Sequence, residues 1–124
     1  TIRMVTSGHF NSKLTEYAGP LVYFVGDTIP DLTLEISYDL GGPLVITGAT
    51  ITVSVSRLKG TTAIKTGTAT LTDTNNGIAR FSWGSFTFNS PGTYVGQAKI
   101  VMADSSVLST QKFLIEVLNR VAGL

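Results

Sequence analysis

IARFSWGSFTFNSPGTYVGQAKIVM, residues Ile78–Met102, holds the only Trp, three of the six Phe and one of the four Tyr in a chain of 124 residues. Ala79, Phe81 and Trp83 alternate with Arg80 and Ser82, which places the apolar groups on one face of a strand. Pro91-Gly92 then dictates a turn. From Thr93 a second strand is expected, with Tyr94, Gly96, Ala98, Ile100 and Met102 on one side and Val95, Gln97, Lys99 and Val101 on the other. An aromatic strand, a Pro-Gly corner and a long return strand are what the centre of a two-sheet sandwich requires.

The same period of two recurs on both sides of this stretch. Leu32, Leu34, Ile36 and Tyr38 alternate with Thr33, Glu35 and Ser37. Asp39-Leu40-Gly41-Gly42-Pro43 has turn composition, and Leu44–Ile46 reads as a brief strand. Ile51, Val53 and Val55 alternate with Thr52 and Ser54, and Arg57–Thr62 is a polar loop. Ala63–Thr72 is rich in Thr and poor in apolar bulk, as an edge strand is, with Lys65 guarding the edge. Asp73–Gly77 is a turn in which Asn76-Gly77 favours positive φ. After a turn at Asp104-Ser105-Ser106, Phe113, Ile115 and Val117 form a last alternating strand. No helical period of useful length and no internal repeat is present. The expectation is an all-β, immunoglobulin-like β-sandwich of seven to eight strands over residues 21–118, with an extended N-terminal arm (1–20) that includes one short strand at Ile2–Thr6, and a short C-terminal tail (119–124).

Composition narrows the function classes. The charged share is 14%, against a usual ~25%, and the formal net charge is +1. Lys and Arg are scattered and form no basic run, so nucleic acid is not an expected partner. The longest apolar run, Leu21–Val25, is far short of the ~20 residues of a membrane helix, and no membrane partner is expected. There is no Cys, and TIRMVTSGHF at the start lacks an apolar h-region; both suit a product made in a reducing cytoplasm.

Catalysis finds little to work with. His9 is the single His, so a Ser-His-Asp or Cys-His arrangement would depend on one residue of the arm. Thiolate and imidazole ligands are too few for a transition-metal site. Asp27, Asp31, Asp39, Asp73 and Asp104 fall in expected loops without the spacing of a calcium loop. The chain is therefore read as non-enzymatic, with no cofactor and no metal. Phe86 and Phe88 flank the Pro-Gly corner. They either fill the end of the core or form an exposed platform for a sugar or a protein.

Several segments together resemble a known family. GDTIPDLTLEISYDLGGPLVITGATITVSV, from Gly26 to Val55, is similar to the opening of the immunoglobulin-like domain at the N-terminus of bacteriophage upper baseplate proteins. The likeness includes Gly26-Asp27-Thr28, the strand Leu32–Tyr38, Gly41-Gly42-Pro43, Ile46-Thr47-Gly48-Ala49 and the strand Ile51–Val55. It continues through Asn76-Gly77, Phe81–Trp83 and Pro91-Gly92-Thr93-Tyr94, spanning about Gly26–Val117. Tyr94, just after the corner, is placed to use its hydroxyl on nearby backbone, as corner tyrosines do.

The resemblance implies a bacteriophage virion structural protein that binds other virion subunits. Its place would be that of a capsid cement or decoration protein, or of a tail or baseplate component. Its partners would be capsid or tail subunits, and a homo-oligomer such as a trimer is expected. On this reading the arm supplies the partner interface, through Ile2, Met4, Val5, His9, Phe10, Leu14 and Tyr17. Fully extended, 20 residues reach at most ~70 Å, enough to cross onto a neighbour; an arm folded back on its own domain is the other possibility. The alternative function is a carbohydrate-binding or adhesion module for host-surface glycans, with Phe86, Phe88, Tyr23 and Tyr17 as its aromatics.

Overall fold

The computed structural model describes residues 2–7, 21–38 and 42–124. Ten strands follow one another: β1 (Ile2–Ser7), β2 (Leu21–Phe24), β3 (Leu32–Tyr38), β4 (Thr50–Arg57), β5 (Ala63–Thr68), β6 (Thr70–Asp73), β7 (Ile78–Phe81), β8 (Gly92–Val101), β9 (Val107–Ser109) and β10 (Phe113–Leu118). They form two sheets. The smaller has the order β1-β3-β7-β6; the larger runs β2-β10-β8-β4-β5, with β9 also paired to β8.

Alternation explains why these segments pair as they do. Leu32, Leu34 and Ile36 of β3, Ile51, Val53 and Val55 of β4, and Ala98 and Ile100 of β8 are all at most 1% exposed. Their Thr, Ser and Lys neighbours point outward, so a one-residue slip would exchange the two sets. A Leu, Ile or Val side chain buried this fully contributes roughly 1.5–3 kcal/mol relative to the same group in water. The shared core therefore fixes the register of both layers.

The strand count exceeds the expected seven or eight for identifiable reasons. Ala63–Thr72 is two strands, because the chain passes from the larger sheet to the smaller at Ala69, whose N–H bonds to the Ile51 carbonyl. Both halves lie at sheet edges, as their thin apolar content suggests. β9 is a three-residue strand. The gap it leaves along β8 before β10 is closed by Thr110, a buried residue whose hydroxyl and backbone bond to Ala98. Finally, β1 belongs to the smaller sheet, antiparallel to β3 from Ile2↔Tyr38 to Ser7↔Thr33. Thus the start of the expected arm lies on its own domain.

Two local expectations are corrected. Leu44–Ile46 is not a strand: the Leu44 N–H bonds to the Ile36 carbonyl and the Ile46 N–H to the Thr74 carbonyl, which buries both side chains without a ladder. Trp83 lies beyond the end of β7 at Phe81, yet remains fully buried. Of the turn expected at 39–43, residues 39–41 lie outside the described residues. The turn after β6 is a short 3₁₀ segment, Thr74–Asn76, followed by Gly77 at φ +67°. A Cβ at Gly77 would lie 2.3 Å from the Ile36 carbonyl oxygen and 2.7 Å from that of Leu44, so glycine is required there on two counts.

Candidate functional site

The aromatic residues gather at one end of the sandwich, where the loop between β7 and β8 packs over the core. Trp83 stacks on Phe86 (centroids 5.7 Å, planes 24° apart) and meets Phe81 edge-on at 5.3 Å. Phe88 lies against Trp83, Phe86, Tyr23 and Tyr94. Phe88 and Tyr23 are each 1% exposed. Neither belongs to an exposed platform; of the described aromatics proposed for one, only Phe86 is partly open. Burial also pushes the Tyr23 phenol well above its ordinary pKa of 10.0, because the phenolate would lose its hydration.

The corner itself is locked by a hydrogen bond. The Tyr94 hydroxyl donates to the Ser90 carbonyl oxygen at 2.7 Å, across Pro91-Gly92. Above the Tyr94 ring lies the Arg57 guanidinium, 5.2 Å from the centroid, in the range of a cation–π contact. Arg57 ends β4, where the sequence reading placed the start of a polar loop. Beside these residues, the loop Phe86–Ser90 and Ile64 of β5 enclose a cleft of about 360 Å³.

A second feature lies on the outer face of the larger sheet. β10 runs parallel to β2 with Glu116 opposite Val22 and Leu118 opposite Phe24. It runs antiparallel to β8 with Leu114 opposite Val95 and Glu116 opposite Thr93. Val22, Phe24, Leu114 and Leu118 therefore share one outward face, and each is 37–47% exposed. The one carboxylate among them, Glu116, accepts a hydrogen bond from the Thr93 hydroxyl at 2.9 Å. At its end, Asp27 and Arg120 form an ion pair that ties the segment after β10 to the turn after β2. The sequence carried a signal for this face that the period-of-two reading passed over. In FLIEVL the outward phase includes two Leu, and in LVYF both phases are apolar.

Of the arm residues expected at the partner interface, Ile2, Met4 and Val5 lie on β1, opposite Tyr38, Ile36 and Glu35. His9, Phe10, Leu14 and Tyr17 lie outside the described residues. Among the described residues, no three of His, Cys, Asp or Glu gather as metal ligands would.

No family model and no curated protein matches this sequence. Among solved structures, the crystal structure of CopC from Methylosinus trichosporium OB3b is similar, with 11% identity over 86% of this chain and 91% of that one, and a TM-score of 0.53. At that identity the likeness concerns the fold alone. Together with the two packed sheets, it makes this chain an immunoglobulin-like β-sandwich.

Proposed function

We propose that this chain is a non-enzymatic structural subunit of a bacteriophage virion that binds other virion subunits, as a capsid cement or decoration protein or as a tail or baseplate component. The observation that carries the binding role is the outward apolar face formed by Val22, Phe24, Leu114 and Leu118. Outward positions of a solvated sheet are ordinarily polar. Four large apolar side chains on adjacent strands gain free energy when a neighbour covers them. Their single carboxylate, Glu116, already accepts a hydrogen bond from the Thr93 hydroxyl, so one of its acceptor sites stays satisfied when the face is covered. The phage assignment draws its support from the sequence resemblance between Gly26 and Val117. Phe24→Glu combined with Leu118→Glu tests the role: the double variant keeps the native circular dichroism spectrum but is lost from particles assembled in its presence. Incorporation at the wild-type level would overturn the reading.

A second reading, recognition of host-surface glycans, is favoured by one observation, the cleft at the Pro91-Gly92 corner with the half-open ring of Phe86 in its wall.

A further inference from the structure

The cleft beside the Pro-Gly corner has an apolar wall, a polar rim and one cation. Phe86 and the partly exposed Ile64 form the wall, and Trp83 backs Phe86 in a stacked arrangement, so the exposed part of the ring is held rigidly. Thr87, Asn89 and Ser90 supply neutral polar groups. The cation is Arg57. Its guanidinium rests on the Tyr94 ring, and Tyr94 is in turn held by Ser90. Gly92 lies beside it, at a φ of +141° that favours glycine.

Of the described residues that line the cleft, none is acidic. Among the described residues the ion pair is that of Arg120 with Asp27, so Arg57 faces the cleft with its charge unneutralised by a protein carboxylate. A guanidinium so placed offers paired donors to a planar anion. The contact with the Tyr94 ring keeps this exposed side chain beside the cleft before a ligand arrives, which lowers the ordering cost of binding.

We propose that this cleft is a subsite for an acidic sugar, with the carboxylate on Arg57 and an apolar ring face on Phe86. The inference rests on the glycan reading and gives it a residue-level form. Cleft volume and wall favour a sugar over an acidic peptide. About 360 Å³ is the size of a pocket for one small ring rather than for an extended strand, and an Asp or Glu side chain would leave Phe86 and Ile64 uncovered.

The test is a titration of the isotope-labelled full chain, followed by NMR, with glucuronate, glucose, acetate and a short oligoglutamate peptide as separate probes. Glucuronate is expected to give saturable shifts centred on Arg57, Asn89 and Ser90. Glucose and acetate should each bind at least tenfold more weakly, since each offers half of the recognition. Arg57→Gln, an exposed substitution whose spectrum reports its folding, should weaken glucuronate at least tenfold. Equal binding of glucuronate and acetate, equal binding of the peptide, or an unchanged affinity in Arg57→Gln would each overturn the proposal. A glycan array separates it from the reading beneath it. Glycan binding that survives in Arg57→Gln overturns the subsite alone, and a blank array with no NMR shifts overturns both.

Discussion

The hydroxyl of Tyr94 donates a hydrogen bond to the carbonyl oxygen of Ser90, four residues upstream and 2.7 Å away. This contact closes the corner through which the chain enters β8, the strand that pairs with β4, β9 and β10. Tyr94→Phe removes only the hydroxyl and leaves the ring packed on Phe88. Since Ser90 is half-buried, water can reach the freed carbonyl, and the expected loss is about 1 kcal/mol. For a domain of this size that is a fall in Tm of roughly 4 °C. Differential scanning calorimetry reads it directly; an unchanged Tm would show that the contact contributes nothing to folding.

Trp83 carries a contradiction within the core. Its ring is fully buried among four aromatic side chains, yet its indole N–H has no hydrogen-bond partner among the described residues. An unmade bond of this kind costs about 1–3 kcal/mol. Trp83→Phe deletes the orphaned donor along with some ring volume, so its net loss should stay below about 2 kcal/mol, whereas Trp83→Ala should cost ~4 kcal/mol or more. Urea denaturation of the two variants distinguishes these outcomes. A Phe variant as damaged as the Ala variant would mean that the N–H is satisfied in solution.

The raised pKa of Tyr23 has a consequence for alkaline stability. Its phenol stays protonated in the folded chain at a pH where the unfolded chain, with a value near the ordinary 10.0, already releases the proton. Folding therefore gains from the neutral phenol below that pH, and the gain is lost progressively as pH rises above it. The urea midpoint should hold between pH 8 and about 10 and fall beyond that. In Tyr23→Phe the fall should be shallower, because the ionising group is gone while the ring contacts to Trp83 and Phe88 remain. Identical pH profiles for the two proteins would contradict the assignment.

Among the described glycines, Gly77 is the least tolerant of a side chain. A Cβ there meets two backbone carbonyls, those of Ile36 and Leu44, and the φ of +67° is itself unfavourable for an L residue. Ile36 lies in the paired strand β3 and its carbonyl is bonded to the Leu44 N–H, so these backbone oxygens cannot step aside as a side-chain tip can. Gly77→Ala should therefore cost at least ~2 kcal/mol. Gly84 has a similar φ of +62° and no atom within 4 Å of its Cβ position, so Gly84→Ala isolates the conformational part. The difference between the two, measured by chemical denaturation, is the cost of the clash, and equal losses would show that there is none.

Much of the fold was legible because burial on one sheet face imposes a period of two. The core residues of β3, β4, β8 and β10 could be named from alternation, and the Tyr94 corner from the Pro-Gly step before it. The passage of one continuous Thr-rich segment from one sheet to the other at Ala69 was not legible, since nothing in local periodicity marks a change of partner. Trp83 shows the same limit in reverse: its alternation with Phe81 continues although the ladder ends. The apolar face of β2 and β10 lies outside the dominant phase of these strands. Val22, Phe24, Leu114 and Leu118 sit in the other phase, and whether such residues are covered is decided by tertiary and quaternary neighbours. The placing of Arg57 was not legible because it depends on Tyr94, distant in sequence and adjacent only across the β4–β8 pairing.

The central claim is that this sandwich works as a passive element wedged among other polypeptides, with the β2–β10 face turned inward to the assembly. Electron microscopy of virus particles purified from the source of this chain tests it most directly. The account predicts density for the sandwich in which Val22, Phe24, Leu114 and Leu118 lie against a neighbouring subunit. Particles that lack the chain altogether, or that hold it with this face open to solvent, would contradict it.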